Sequence, residues 1–301
     1  MNTNENLETG ISHDHARTGR RSGRGRRPRS RVLAIAAAAA MTVGAAAGPV
    51  LASASPASAT TSTGTNWMMG AGTLAGVIAQ DPATAAQLST PTVYGAGSSL
   101  TRNPIQSGYA ATPVLSLTSY ANFSYDIQNG LILFPYKWVM YDPEKWDPTP
   151  LNEQQDPVRY MTLFAQLAHA HGLKVIMAPA LDLGSVPGSV IPRLAGEQIT
   201  SWYVRTLAGP AGAASNILDV QSESQTGVLS QFDWLVNNTV AKAHAANPGV
   251  QVFAEVSTLN GTTQQMVAAA QSVSTDGYYV AAPNAISQAV QFFQQMLAAG
   301  F

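Results

Sequence analysis

Carboxylate residues follow several short apolar runs of this 301-residue chain. Asp142 and Glu144 follow the first of these runs, Glu223 follows the second, and Glu255 closes the third. Two carboxyl groups held about 5–5.5 Å apart can hydrolyse a glycosidic bond with retention, and a separation of about 6.5–9.5 Å gives inversion. One of the two must keep its proton near neutral pH, which partial burial at the rim of a site favours. These four residues are the candidates for catalysis.

The pair at residues 142 and 144 has the sharpest local pattern. Because Asp142 and Glu144 are two positions apart, their side chains point the same way if the strand continues, and Pro143 restricts the backbone between them. A charged residue in a strand buried on both faces is costly unless it lies at the strand end. The alternative is that Asp142 begins a turn and that Glu144 is simply solvated.

The second pair, Glu223 and Glu255, also has a functional and a structural interpretation. Glu255 is flanked by apolar residues, so it needs either a partner or a role; the structural alternative is an ion pair with Arg193 or Arg205. Glu223 stands at the start of a polar loop, where a solvated surface role is as plausible as a catalytic one.

Four further residues are candidates for substrate binding. Asp219 and Gln221 alternate with apolar residues, so one face of their strand is polar, which suits the interior or rim of a barrel, and Gln221 is the binding candidate. Tyr141 and Trp146 could stack on sugar rings. Asp182 follows a fourth apolar run.

The elements that must hold these residues are predicted by the rhythm of the chain. From residue 136 onward, β-prone runs alternate with helix-like segments, which predicts a mainly parallel sheet with right-handed crossovers. Acids at the strand ends would then lie around one mouth of a (β/α)8, TIM-like barrel. We count about seven strands, so either one is missed or the sheet is open or distorted. Residues 114–129 are predicted to be helical.

The first 59 residues have the pattern of an export signal. Eight Arg residues within residues 1–31 precede an Ala-rich apolar stretch and two A-x-A patterns, and we expect cleavage after Ala59, leaving one barrel domain over residues 60–301. The alternative is a retained membrane anchor. An adjacent Arg pair permits a twin-arginine route, although the general secretory route fits better.

Removing that segment changes the charge balance. Eight of the 16 Lys and Arg residues and three of the 17 Asp and Glu residues lie within residues 1–31, which leaves eight basic and 14 acidic residues and a net charge of about −6. This argues against nucleic acid and anionic membranes as partners of the mature protein. We expect a secreted, extracellular monomer.

Several kinds of chemistry lack the residues they need. The chain has no Cys, which excludes disulfides, thiolate nucleophiles and Cys-ligated zinc. The three His residues beyond residue 59 lie near predicted helix C-termini, away from the mouth, and the chain has no Gly-x-Ser-x-Gly elbow. The Gly-rich stretch at residues 184–196 lacks the phosphate-binding fingerprints. We therefore predict neither a cofactor nor a metal, with an all-oxygen calcium site left open.

An Asp-x-Glu directly after an apolar strand resembles the strand-end motif of secreted barrel glycoside hydrolases, such as chitinase-like and lysozyme-like barrels. The resemblance covers the few residues of the motif and implies that Glu144 is the proton donor and that Asp142 positions or stabilises the intermediate. The chitinase pattern has further Asp residues within the strand, at places held here by Trp138, Val139 and Met140. The composition also resembles that of proteins secreted by high-GC actinobacteria. The expected function is cleavage of a carbohydrate or cell-wall polymer; the alternative is a non-catalytic barrel that binds such material.

Overall fold

The computed structural model describes residues 65–100, 102–132 and 136–301. Within them, eight parallel strands pair in sequence order and close into a barrel, β1 with β8. The strands are β1 Asn66–Gly70, β2 Val93–Gly97, β3 Thr112–Leu117, β4 Trp138–Tyr141, β5 Lys174–Met177, β6 Ile217–Val220, β7 Gln251–Ser257 and β8 Gly277–Ala281. The predicted (β/α)8 barrel is therefore confirmed. The predicted export segment and its cleavage site lie outside the described residues.

Helices surround the barrel within the same ranges. They are α1 Ala71–Gln80, α2 Pro82–Gln87, α3 Tyr120–Gln128, α4 Leu151–Gln155, α5 Pro157–Ala170, α6 Ile199–Thr206, α7 Ala208–Ala214, α8 Leu229–Ala246, α9 Thr263–Ser272 and α10 Ile286–Ala298. Short 3₁₀ turns follow β5 at Leu181–Ser185 and β6 at Glu223–Gln225. None of the described helices is both long and apolar enough to cross a bilayer.

One predicted element is wrong, and its correction supplies the eighth strand. The helix predicted over residues 114–129 begins only at Tyr120, because Ser119 is its N-cap and accepts a hydrogen bond from the Asn122 amide at 3.2 Å. The residues before it form β3. There Val114 faces the barrel interior and Leu115 faces the helices, so the two apolar neighbours pack on opposite sides of the sheet.

Side-chain alternation divides the core into two layers. One layer fills the barrel interior with inward-facing residues from all eight strands: Met68, Tyr94, Ala96, Val114, Trp138, Met140, Ile176, Ala178, Ile217, Phe253 and Tyr279. The other lies between strands and helices. Phe253 needs a neighbour without a side chain, since a Cβ on Gly277 would stand 2.8 Å from its ring and 2.6 Å from the Asn66 carbonyl oxygen.

Side-chain caps fix the starts of three further helices. Asp81 accepts hydrogen bonds from the amides of Ala83 and Thr84 at the start of α2, and Asp156 accepts one from Arg159 at the start of α5. A full capping box forms between Thr262 and Gln265 at α9. These caps set the residues at which α2, α5 and α9 begin.

Candidate functional site

The acidic residues meet at the carboxyl ends of the strands. Because Met140, Ile217 and Phe253 face the barrel interior, residues two or four positions further along each strand also face inward. That alternation directs Asp142, Asp219 and Glu255 into one cavity of about 620 Å³, and the segments after β4 and β6 bring Glu144 and Glu223 to the same cavity. The four predicted catalytic residues are among them. We call this cavity the mouth.

Asp142 and Gln221 are held together across the mouth. The Gln221 amide nitrogen donates to Asp142 Oδ1 at 2.6 Å and to the Ala178 carbonyl oxygen at 2.8 Å, which ties the ends of β4, β5 and β6 together. Burial raises the pKa of Asp142 to about 8; the carboxyls of Glu144 and Glu223 also raise it, and the Gln221 hydrogen bond opposes them. Asp142 is therefore largely protonated at neutral pH. Gln221 positions it, besides lining the cavity.

Glu144 is half-buried at the edge of the mouth. Its own amide donates to Thr149 Oγ1 at 3.2 Å, so the loop that carries Glu144 is anchored. Burial raises the pKa of Glu144 to about 7, and the negative charges of Asp182 and Glu223 add to the rise. Asp182 does not line the cavity but accepts a hydrogen bond from the Lys145 amide at 3.0 Å. Glu144 can thus hold a proton near neutral pH and release it to a bound molecule.

Asp219 is the most buried acid of the mouth, at 1% exposure. Among the described residues, none donates a hydrogen bond to either of its carboxylate oxygens. Burial raises its pKa well above the usual value, and the carboxyls of Asp142 and Glu223 act in the same direction. The hydroxyl of Tyr203, also buried, has no partner among the described residues either.

Glu223 and Glu255 form the other close pair of acids. Glu255 is 9% exposed, and the Ser222 hydroxyl clamps its backbone: it accepts from the Glu255 amide at 3.0 Å and donates to the Glu255 carbonyl at 2.8 Å. Burial raises the pKa of both carboxyls, and the charge of Glu223 raises that of Glu255 further. The predicted alternative, an ion pair of Glu255 with an arginine, is not what the structure shows. Arg205 instead binds Glu197 at 2.7 Å, and Arg193 donates to backbone carbonyls.

Two predicted binding aromatics lie elsewhere. Tyr141 is fully buried and faces the helices, where its ring stacks on Phe164 and its hydroxyl donates to Glu153 at 2.7 Å. The alternation that directs Asp142 inward directs its neighbour outward, so the structure does not bring Tyr141 to the mouth. Trp146 is 44% exposed on the loop after β4 and donates to Thr149, outside the cavity lining.

Sequence reasoning missed Tyr279. This residue belongs to the barrel interior, lines the mouth and is only partly exposed. Burial raises the pKa of its hydroxyl well above the usual value, so the phenol stays protonated and can donate a hydrogen bond. Tyr279 stands in register with Glu255 on the neighbouring strand, and the sequence alone does not give that pairing.

The mouth is lined by acidic side chains, without basic ones to balance them in the part of the chain that the structure describes. Across the described ranges, no Lys, Arg or His side chain lines the cavity. Within those ranges, no three acidic or His side chains converge in an arrangement that could hold a metal ion. Burial is the largest cause of the raised pKa values of these five acids, and the repulsion between neighbouring carboxylates adds to it.

Comparisons with known proteins assign no family to this chain. No family model and no curated protein matches the chain. It is similar to a solved structure, the Amycolatopsis orientalis BexX/CysO complex, with 12% identity over 78% of this chain and 88% of that chain and a TM-score of 0.46. The strand pairing and the cavity themselves define the class: a closed (β/α)8 barrel with an acidic mouth.

Proposed function

We propose that this protein is a glycoside-hydrolase-like barrel that cleaves a glycosidic bond with a pair of carboxyl groups from its mouth. The observation that carries the proposal is a half-buried carboxyl, Glu144, whose pKa is raised to about 7 beside further acids in one open cavity. The carboxyl ends of barrel strands are where enzymes of this fold place their chemistry. The substrate would be a carbohydrate or cell-wall polymer outside the cell, as the export pattern suggests.

Glu144 is assigned the role of general acid. It is less enclosed than Asp219 or Glu255, so a substrate can reach it, and its pKa near neutrality suits proton donation to a leaving oxygen. Asp142, held by Gln221 and largely protonated, fits the role of helper that donates a hydrogen bond to the sugar.

Glu223 is assigned as the second carboxyl group of the catalytic pair. It lines the same cavity, and its charge acts on the pKa of Glu144, so the two groups are electrostatic neighbours. It follows β6 in a short 3₁₀ turn and is partly exposed, which leaves it accessible to a sugar or a water. Glu255 behind it would tune its protonation.

Leaving-group dependence tests the role of Glu144. An aryl glycoside with a good leaving group needs no general acid, whereas a natural oligosaccharide does. Glu144→Gln should therefore lower kcat on oligosaccharides by about 10²–10⁴-fold and leave aryl glycoside hydrolysis much less affected. Glu223→Gln should abolish both reactions. Asp147→Asn is the control, because it removes an exposed carboxylate of the same loop outside the cavity.

The same measurements separate the enzyme from a binding barrel. If the unmodified protein binds an oligosaccharide but a broad panel of oligosaccharides and aryl glycosides shows no turnover, the catalytic proposal fails. Equal losses on both substrate types for Glu144→Gln would instead remove Glu144 from the role of acid.

A further inference from the structure

Asp219 is a buried carboxyl with no protein partner within the described residues. It is 1% exposed, lines the mouth, and both of its oxygens lack a hydrogen-bond donor. A buried polar group left unpaired costs free energy, and proteins rarely keep one without a use. A ligand that brings a donor to this position would remove that cost.

The carboxyl groups of the mouth determine which kind of hydrogen-bond donor a ligand should bring. Five carboxyls face the cavity, and in the described ranges no basic side chain lines it. An incoming ammonium group would donate hydrogen bonds to Asp219 and stabilise its ionised form, and hydrogen bonds between charged groups are about twice as strong as neutral ones. A ligand carrying a carboxylate or phosphate would find no basic side chain to pair with among the described residues that line the cavity.

The two walls of the cavity indicate the rest of the ligand. The acids come from β4, β6, β7 and the segments that follow, whereas the wall next to β7 is small and apolar, with Val280 on β8 and Ala282, Pro283 and Ile286 beyond it. Tyr279, also on β8, offers a ring and a phenol donor. A sugar ring matches both walls. Its C–H face can pack against apolar atoms, and its polar substituents can form hydrogen bonds with the acids.

A metal ion fits the mouth less well than an ammonium group does. In the described residues the acids do not converge in threes at a point where they could ligate a cation. Asp219 lies deep in the cavity, and its two oxygens can instead accept separate N–H donors of one ammonium group.

From this geometry we infer that the mouth recognises a cationic amino sugar, with a free ammonium group bound at Asp219. The inference rests on the proposed function and narrows its substrate class to glycans with unacetylated amino groups. The cavity of about 620 Å³ lies within the range of about 300–1,000 Å³ usual for small-ligand sites.

Binding of three matched tetrasaccharides tests the inference without requiring turnover. The probes are the β-1,4-linked tetramers of glucosamine, N-acetylglucosamine and glucose, titrated calorimetrically into the full chain at pH 6. We expect the glucosamine tetramer to bind about 10–100-fold more tightly than the other two. Asp219→Asn should remove that preference, and Asp147→Asn, the exposed-carboxylate control, should keep it.

The outcomes distinguish this inference from the proposed function. Preferential binding of the glucosamine tetramer without hydrolysis supports amino-sugar recognition and contradicts catalysis. Hydrolysis or binding of the neutral tetramers with no preference for glucosamine overturns the inference and leaves catalysis standing. Equal loss of affinity in Asp147→Asn and Asp219→Asn, or competition by Ca²⁺ at equal ionic strength, also overturns it.

Discussion

Two buried carboxyl groups of this barrel have opposite surroundings. Glu153, on α4 behind the sheet, is 0% exposed and accepts four hydrogen bonds, from the Ser119 hydroxyl, the amides of Tyr120 and Ala121, and the Tyr141 hydroxyl. Asp219, inside the barrel, is 1% exposed and accepts none from the described residues. Burial alone therefore does not tell a structural acid from one that is kept for a ligand.

The hydrogen-bond partners make the distinction. Glu153 fixes the N-terminus of α3, where free amides need acceptors and the helix dipole favours a negative charge. Asp219 is buried and has other acids around it, and both effects raise its pKa, so it holds a proton instead of forming an ion pair. We read Glu153 as part of the scaffold and Asp219 as part of the site, and each of the following predictions tests that division.

The largest expected effect on stability comes from Glu153→Gln. The amide nitrogen of Gln would face one of the amide or hydroxyl donors that the carboxylate now accepts, leaving a buried donor unpaired. We expect the free energy of unfolding to fall by about 3–5 kcal/mol, measured by urea denaturation. A loss below about 1 kcal/mol would mean that the capping role of Glu153 is overstated.

The pH dependence of stability should follow the acids of the mouth. The folded state holds protons on Asp142 and Glu144 up to pKa values of about 8 and 7, whereas the unfolded chain releases them near pH 4. Between those pH values the folded state binds more protons, so its free energy of unfolding should decrease as the pH rises from about 4 to 8.

Denaturation of Asp142→Asn over the same pH range provides the check. The variant lacks the carboxyl with the larger rise, so its curve should be flatter than that of the unmodified protein. A curve that rises with pH in both proteins would show that these acids are ionised and paired in the folded state.

Much of this division could not be foreseen from the sequence. The acids at the strand ends could be predicted because side-chain alternation along a strand is a local pattern. Glu153 could not, because its donors come from Ser119, Tyr120 and Tyr141, up to 34 residues away. The role of Tyr141 was misjudged for a different reason. Its aromatic type suggested sugar binding, although its position next to inward-facing Asp142 already directed it towards the helices.

Tyr141→Phe also tests the structural role of Glu153, and its expected effect on stability is smaller. It removes one donor to Glu153 and keeps the ring stacked on Phe164, so we expect a loss of about 1–2 kcal/mol in the free energy of unfolding. Tyr203→Phe is a matched control, because the buried Tyr203 hydroxyl has no partner among the described residues and its removal should cost little. Equal losses for the two variants would show that the hydrogen bond to Glu153 adds no stability.

The smallest effect, and one of opposite sign, is expected for Asp219→Asn. Folding holds a proton on Asp219 that the unfolded chain releases, so the carboxyl lowers stability at any pH above its usual pKa. The neutral amide avoids that penalty, so the variant should be more stable at pH 7, and the gain should vanish near pH 4. Thermal unfolding at both pH values measures the difference. A residue that lowers stability and raises ligand affinity is what a binding site requires. Should Asp219→Asn instead destabilise the protein as much as Glu153→Gln, Asp219 would belong to the scaffold.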